Sequence, residues 1–166
     1  MTHNKGFTLM ELMVSIAIMS ILVCIAVPEF KQWNATQTLS SSVRRVHSVF
    51  QLSRMEAIKE GRDVVMLFSE GAGSAGTYSS FVDDDGDRVQ DAGEKLIVSG
   101  SLPDNITLSR ARFDFAGSGT LNKLKTHFDS RGLTTGRNGE IRMTNLYGKV
   151  ISVILNSAGS SRIDSM

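Results

Sequence analysis

A chain of 166 residues has room for one soluble domain plus one further element, and a domain of that size can bury a core without disulfide staples. Eighteen basic against 17 acidic side chains leave a formal net charge of +1, so net charge gives no argument for a nucleic-acid binder. One cysteine, Cys24, excludes an intramolecular disulfide. The three histidines, His3, His47 and His127, fall at no metal-ligand spacing. No Ser/His/Asp elbow, Walker loop, dinucleotide glycine fingerprint or Cys/His zinc pattern occurs, so an enzyme is not expected.

The chain opens Met-Thr-His-Asn-Lys-Gly and then runs apolar from Phe7 to Val27. A helix of about 21 residues spans roughly 30 Å, the hydrocarbon thickness of a bilayer. The run is longer than the core of a secretory signal, lacks a small-x-small cleavage site at Ile25–Glu29, and continues into a helical pattern. A retained anchor follows, with the Lys5 end cytoplasmic by the positive-inside tendency. Glu11 is the odd residue, since a carboxylate near the centre of a bilayer costs about 2.5–3.5 kcal/mol and less toward an end. It either snorkels to the interface or pairs with a cation, and the span contains none. Cutting after Gly6 creates one, the free α-amine of Phe7. Cys24 reads as a small buried hydrophobe, and Pro28, lacking an amide donor, is expected to kink or loosen the helix where the span ends.

Gly6-Phe7-Thr8-Leu9-Met10-Glu11-Leu12 followed by an apolar stretch closely resembles the class III signal of type IV pilins and type II secretion pseudopilins. The resemblance implies cleavage by a prepilin peptidase between Gly6 and Phe7, and methylation of the new Phe7 amine by the same peptidase/methyltransferase. It also implies a pairing of Glu11 with the N-terminal amine of a neighbouring subunit. A buried carboxylate is tolerable when an ammonium faces it. Residues 1–6 are then a leader and 7–28 a transmembrane helix.

From Glu29 to Glu60 the pattern is amphipathic: Leu39, Val43, Val46, Phe50 and Ala57 share a face, while Arg44, Arg45, Gln51, Arg54 and Lys59 mostly fall elsewhere. That face is expected to pack on the chain's own sheet. Gly61 supplies the stop. Anchor and amphipathic segment form one helix of about 54 residues, on the order of 80 Å.

Residues 61–166 change to short β-like runs between Gly, Asn, Asp and Ser. The expected strands are Val64–Phe68, Thr77–Val82, Lys95–Val98, Ile106–Leu108, Arg112–Phe115, Thr126–Phe128, Glu140–Thr144 and Val150–Leu155. Asn145-Leu146-Tyr147-Gly148 reads as a hairpin turn and Gly71–Gly76 as a flexible loop. The fold class is therefore α+β: a long N-terminal helix on an antiparallel sheet. Ser53–Phe68, Phe81–Ile97, the run FDSRGLTTGRNGEIRMTN and the final GSSR resemble the GspH/FimT group of minor pilins and pseudopilins. That resemblance implies a structural subunit, held in the bacterial inner membrane with its head in the periplasm. Its implied partners are other pilin subunits and the inner-membrane assembly platform, and its implied place is near the filament tip. The two machines, pilus and secretion system, share signal and fold and stay undivided here.

Two stretches of the head carry candidate chemistry. Counted from Asp83, oxygens fall at Asp83, Asp85, Asp87, the Val89 carbonyl, Asp91 and Glu94, the ligand spacing of a calcium loop. Arg88 stands where the sharp turn of such a loop wants glycine, and the flanks read as strands. The alternative is a solvated Asp/Gly turn with Arg88 offsetting repulsion. Some FimT-like minor pilins are associated with DNA uptake through a C-terminal Gly-Arg-x-Arg segment. The corresponding Gly159-Ser160-Ser161-Arg162 keeps one arginine, Arg162, while Arg110, Arg112, Arg131, Arg137 and Arg142 offer further cations for phosphates.

Overall fold

The structure is a computed structural model that describes residues 7–70, 75–113, 124–134 and 138–165. Gly6, residues 71–74 of the expected Gly71–Gly76 loop, Phe115 and Arg137 lie outside them. The chain divides into two compact units, residues 1–34 and 35–166. One helix, α1 (Leu9–Glu60), supplies the described helix of the first unit and the packing helix of the second.

In the first unit every residue from Phe7 to Asn34 is exposed. The apolar run is thus one surface without a buried stripe, and it is long and apolar enough to cross a membrane. Cys24 is exposed within the chain rather than buried, because no other described part of the first unit covers it. The helix continues through Pro28; with no amide to offer the Cys24 carbonyl, one rung of its hydrogen-bond ladder is missing there.

In the second unit α1 buries Ala35, Leu39, Ser42, Val43, Val46, Val49, Phe50, Ser53 and Ala57. The face is the one that the helical spacing picks out, widened by Ser42, Val49 and Ser53. Burial begins at Ala35, later than the Glu29 where the sequence starts the amphipathic half. Gly61, at φ 68°, ends the helix, its amide donating to the Ala57 carbonyl at 3.0 Å. Glycine reaches that left-handed conformation without a Cβ penalty.

Eight strands follow: β1 (Asp63–Ser69), β2 (Thr77–Asp83), β3 (Leu96–Ser101), β4 (Ile106–Phe113), β5 (Lys125–Phe128), β6 (Gly139–Asn145), β7 (Val150–Leu155) and β8 (Ser161–Ser165). They form two antiparallel four-stranded sheets, ordered β3-β2-β1-β5 and β4-β6-β7-β8, where the sequence suggests one. Two expected runs, Ile106–Leu108 and Arg112–Phe115, prove to belong to a single strand as far as Phe113. Its pairing with β6 shifts register between Leu108 and Arg110, so burial passes from Ile106 and Leu108 to Ala111 and Phe113. The extra residue flips the alternation and makes one strand read as two. Strand β8 is unforeseen: Ser-Arg-Ile-Asp-Ser has no apolar alternation and is held by pairing to β7 as an exposed edge.

One contiguous core joins α1 to both sheets. At its centre Phe50 touches Phe68 of β1, Phe128 of β5 and Phe113 of β4, with ring centroids 5.9, 6.4 and 6.4 Å away. A buried polar contact sits beside it, Ser53 Oγ to Ser80 Oγ at 2.7 Å, satisfying two hydroxyls that burial would otherwise penalise. Helix side chains also hold strand β8 and the loop after β5. His47 Nε2 lies 3.2 Å from the Ser161 carbonyl, Gln51 Nε2 donates to Ser161 Oγ at 2.9 Å, and Arg54 Nε donates to the Gly132 carbonyl at 3.0 Å.

Candidate functional site

The first unit begins with a capped helix. The Glu11 amide donates to Thr8 Oγ1 at 3.2 Å and the Leu12 amide to the Thr8 carbonyl at 3.2 Å, making Thr8 the N-cap. Thr8-x-x-Glu11 is the spacing of a capping box, a signal that the hydropathy reading passes over. Glu11 therefore stands in the first turn, where the helix dipole favours negative charge. Farther along, Ser15 Oγ donates to the Glu11 carbonyl at 2.7 Å and Ser20 Oγ to the Ile16 carbonyl at 2.8 Å. Hydroxyls satisfied within their own helix suit an apolar solvent, where an unpaired donor is costly. Phe7 is 80% exposed at the start of this segment.

The acidic loop joins β2 to β3 and is built from its own side chains. Asp83 Oδ1 accepts the Gly86 amide at 2.9 Å, Asp85 Oδ1 the Asp87 amide at 3.1 Å, and Asp87 Oδ1 the Val89 amide at 2.6 Å. Glu94 clasps the loop, one oxygen accepting the Asp84 amide and the other the Asp91 amide, both at 3.0 Å. Arg88 takes φ 63°, alone among the non-glycine residues described, and its carbonyl accepts Lys125 Nζ at 2.7 Å. The sharp turn that the sequence denies for want of glycine is made after all, by an arginine. Carboxylate oxygens of Asp83, Asp85 and Asp87 lie within 4.8 Å of one another. Asp83 is 4% exposed, and its Oδ2 is buried without a hydrogen bond. Burial raises the Asp83 pKa from its ordinary value, with the Gly86 and Arg88 amides opposing and the Glu94 and Asp85 charges adding to it. The Asp87 charge, ahead of burial and of Asp85 and Glu94, raises Asp91 likewise.

The arginines divide. In-register pairing places Arg112 of β4, Glu140 of β6, Ile154 of β7 and Arg162 of β8 in one row across the second sheet. Arg110 and Arg142 form the next row, and Glu140 engages both, at 3.7 and 3.0 Å. Arg131 instead pairs with Asp129 at 2.8 Å on the loop after β5. Arg162 itself is exposed on the edge strand. Gly159, which opens the GSSR run, is a structural residue: it has φ 74°, and a Cβ there would meet the Gly132 carbonyl oxygen at 2.0 Å.

Against known families, the model described as type II transport protein GspH matches residues 42–159, and the prokaryotic N-terminal methylation motif matches residues 1–27. The chain belongs to the type II transport protein GspH family. A pilin-like protein, PilA1 of Thermus thermophilus, is 27% identical over 162 residues, 97% of this chain and 99% of that one. A fimbrial protein of Pseudomonas aeruginosa is 38% identical over 65 residues, 39% of this chain, and the match spans only 42% of that relative. Among solved structures, the type IV minor pilin FimU of Pseudomonas aeruginosa superposes with a TM-score of 0.56 at 13% identity, over 80% of this chain and 92% of that one. The minor pseudopilin EpsH of Vibrio cholerae gives 0.51 at 14% identity, over 76% and 96%. These two likenesses are of fold: a long N-terminal helix packed on antiparallel sheets is common to the family member and its neighbours.

Proposed function

We propose that this family member is a minor pilin or pseudopilin, a non-catalytic subunit that joins a type IV pilus or a type II secretion pseudopilus near its tip. The observation that carries the proposal is the bare helix from Phe7 to Asn34. None of its apolar side chains is buried within the chain. Leaving a large apolar side chain in water costs roughly 1.5–3 kcal/mol. The run therefore requires lipid first and neighbouring helices later. The prepilin peptidase cuts between Gly6 and Phe7 and methylates Phe7, while residues 7–28 hold the chain in the inner membrane with the head in the periplasm. The assembly platform then draws the helix into the filament, where Glu11 meets the Phe7 amine of another subunit. Thr8 caps the helix at that end, so the carboxylate and the new amine lie within one turn of each other along the sequence.

The test is mass spectrometry of the N-terminus in filaments from cells expressing the full chain with its peptidase. A mature chain beginning at methylated Phe7 is expected; an intact Met1 start in assembled filaments overturns the reading. Glu11→Gln should leave processing intact and lower incorporation, because an amide offers the neighbouring ammonium no charge.

A further inference from the structure

We infer that the β2–β3 loop is a calcium site formed by Asp83, Asp85 and Asp87. Two observations are independent of each other. The first is the cluster: three carboxylate oxygens lie within 4.8 Å of one another. Three carboxylates gathered this closely on one loop can converge on a single ion, and calcium, which accepts six to eight oxygens in flexible geometry, tolerates such a set better than magnesium, which demands a near-ideal octahedron. The second is Asp83, 4% exposed: its Oδ1 accepts the Gly86 amide, the Arg88 amide approaches the same carboxylate, and its buried Oδ2 makes no hydrogen bond of ordinary geometry. A buried carboxylate oxygen left under-satisfied in this way is unfavourable, and a cation offsets that penalty.

The rest of the loop supports the same reading. Asp85 and Asp87 each spend one oxygen on a turn amide, which fixes the carboxylate and leaves the second oxygen for an ion. Arg88 in the left-handed region puts the sharp turn at the sixth position, and the Lys125 bond to its carbonyl holds it. Glu94, in the twelfth position, uses its oxygens as a backbone clasp, so it closes the loop around the site and adds negative potential. Asp91 stands at the ninth position of the loop, where calcium loops commonly hold the ion through a water. All the donors are hard oxygens, which excludes a preference for soft transition metals.

The experiment is calorimetric titration of CaCl2 into the full chain in detergent, paired with thermal melts in calcium, magnesium or EGTA. One site with a Kd of about 10⁻⁴–10⁻³ M is expected, with a Tm several degrees higher in 10 mM calcium than in EGTA. Asp85→Asn with Asp87→Asn should weaken binding at least tenfold. Its Tm in EGTA should stay level or rise, since charge repulsion falls, which separates a lost site from a lost fold. Asp104→Asn, an exposed acid outside the loop, should change neither value. No calcium heat from the folded chain, an equal shift with magnesium, or full binding by the double variant overturns the inference.

Discussion

Replacing Phe50 by alanine tests the packing logic of the head most directly. Phe50 is 1% exposed and contacts rings from both sheets, Phe68 and Phe128 in the first and Phe113 in the second. An unrelaxed cavity of roughly 100 Å³ costs about 2.4 kcal/mol at about 24 cal/mol per Å³, and the lost transfer energy adds about 2 kcal/mol. The three ring contacts place the loss at the upper part of the usual 3–5 kcal/mol range for Phe→Ala, around 4–5 kcal/mol. For a unit of this size that corresponds to a Tm lower by about 10–20 °C. The assay is urea unfolding of the full chain in detergent, followed by hydrogen–deuterium exchange of peptides from β6 and β7, which reports on the head and not on the detergent-held helix. Leu52→Ala, on the same helix but 39% exposed, should cost under about 1 kcal/mol. Equal losses for the two variants would refute the assignment of Phe50 as the residue that joins helix and sheets.

Gly159→Ala should destabilise the head by more than about 2 kcal/mol, because the new Cβ meets a backbone oxygen of Gly132 at 2.0 Å and the residue holds φ 74°. Gly148→Ala, also at positive φ but in open space, separates the clash from the backbone strain; equal losses would refute the clash. Stability should also fall at both pH extremes through Lys95, which reaches Glu56 at 2.7 Å and Glu60 at 2.6 Å. Hydrogen bonds from Lys95, then Lys59, hold Glu56 below its ordinary 4.5, so its contribution is present above pH 4.5 and lost as pH falls through the depressed value. Hydrogen bonds to Glu56 and Glu60 push Lys95 up from 10.5 to about 12, so its contribution is complete below pH 10.5 and lost as pH rises through about 12. Lys95→Met should flatten both flanks of a urea-midpoint profile; an unchanged profile would show that this exposed cluster contributes nothing.

The parts of the head that could be read ahead of the structure are those in which a local rule acts alone. Leu39, Val43, Val46, Phe50 and Ala57 recur with the helical period and are all buried. The Asn145–Gly148 turn forms as its composition implies: the Asn145 side chain accepts the Tyr147 and Lys149 amides, and Gly148 takes φ 79°. The readings that fell short involve a partner distant in sequence. Strand β8 has no apolar alternation and exists because β7 offers it a ladder. The bulge in β4 disguises one strand as two, since only pairing with β6 shows that the phase changes.

The same division runs through the functional features. Sequence by itself determined the apolar run, its single carboxylate and the Gly6-Phe7 pair at which cleavage is proposed, because hydrophobic length and residue order along one helix need no tertiary contact to be meaningful. It also laid out the oxygens from Asp83 to Glu94 at calcium-loop spacing. Only the tertiary structure decided that Asp83 is buried with an oxygen unpaired and that Arg88 takes the turn left to glycine. Burial and backbone strain are imposed by the packing around a residue, and no spacing along the chain encodes them.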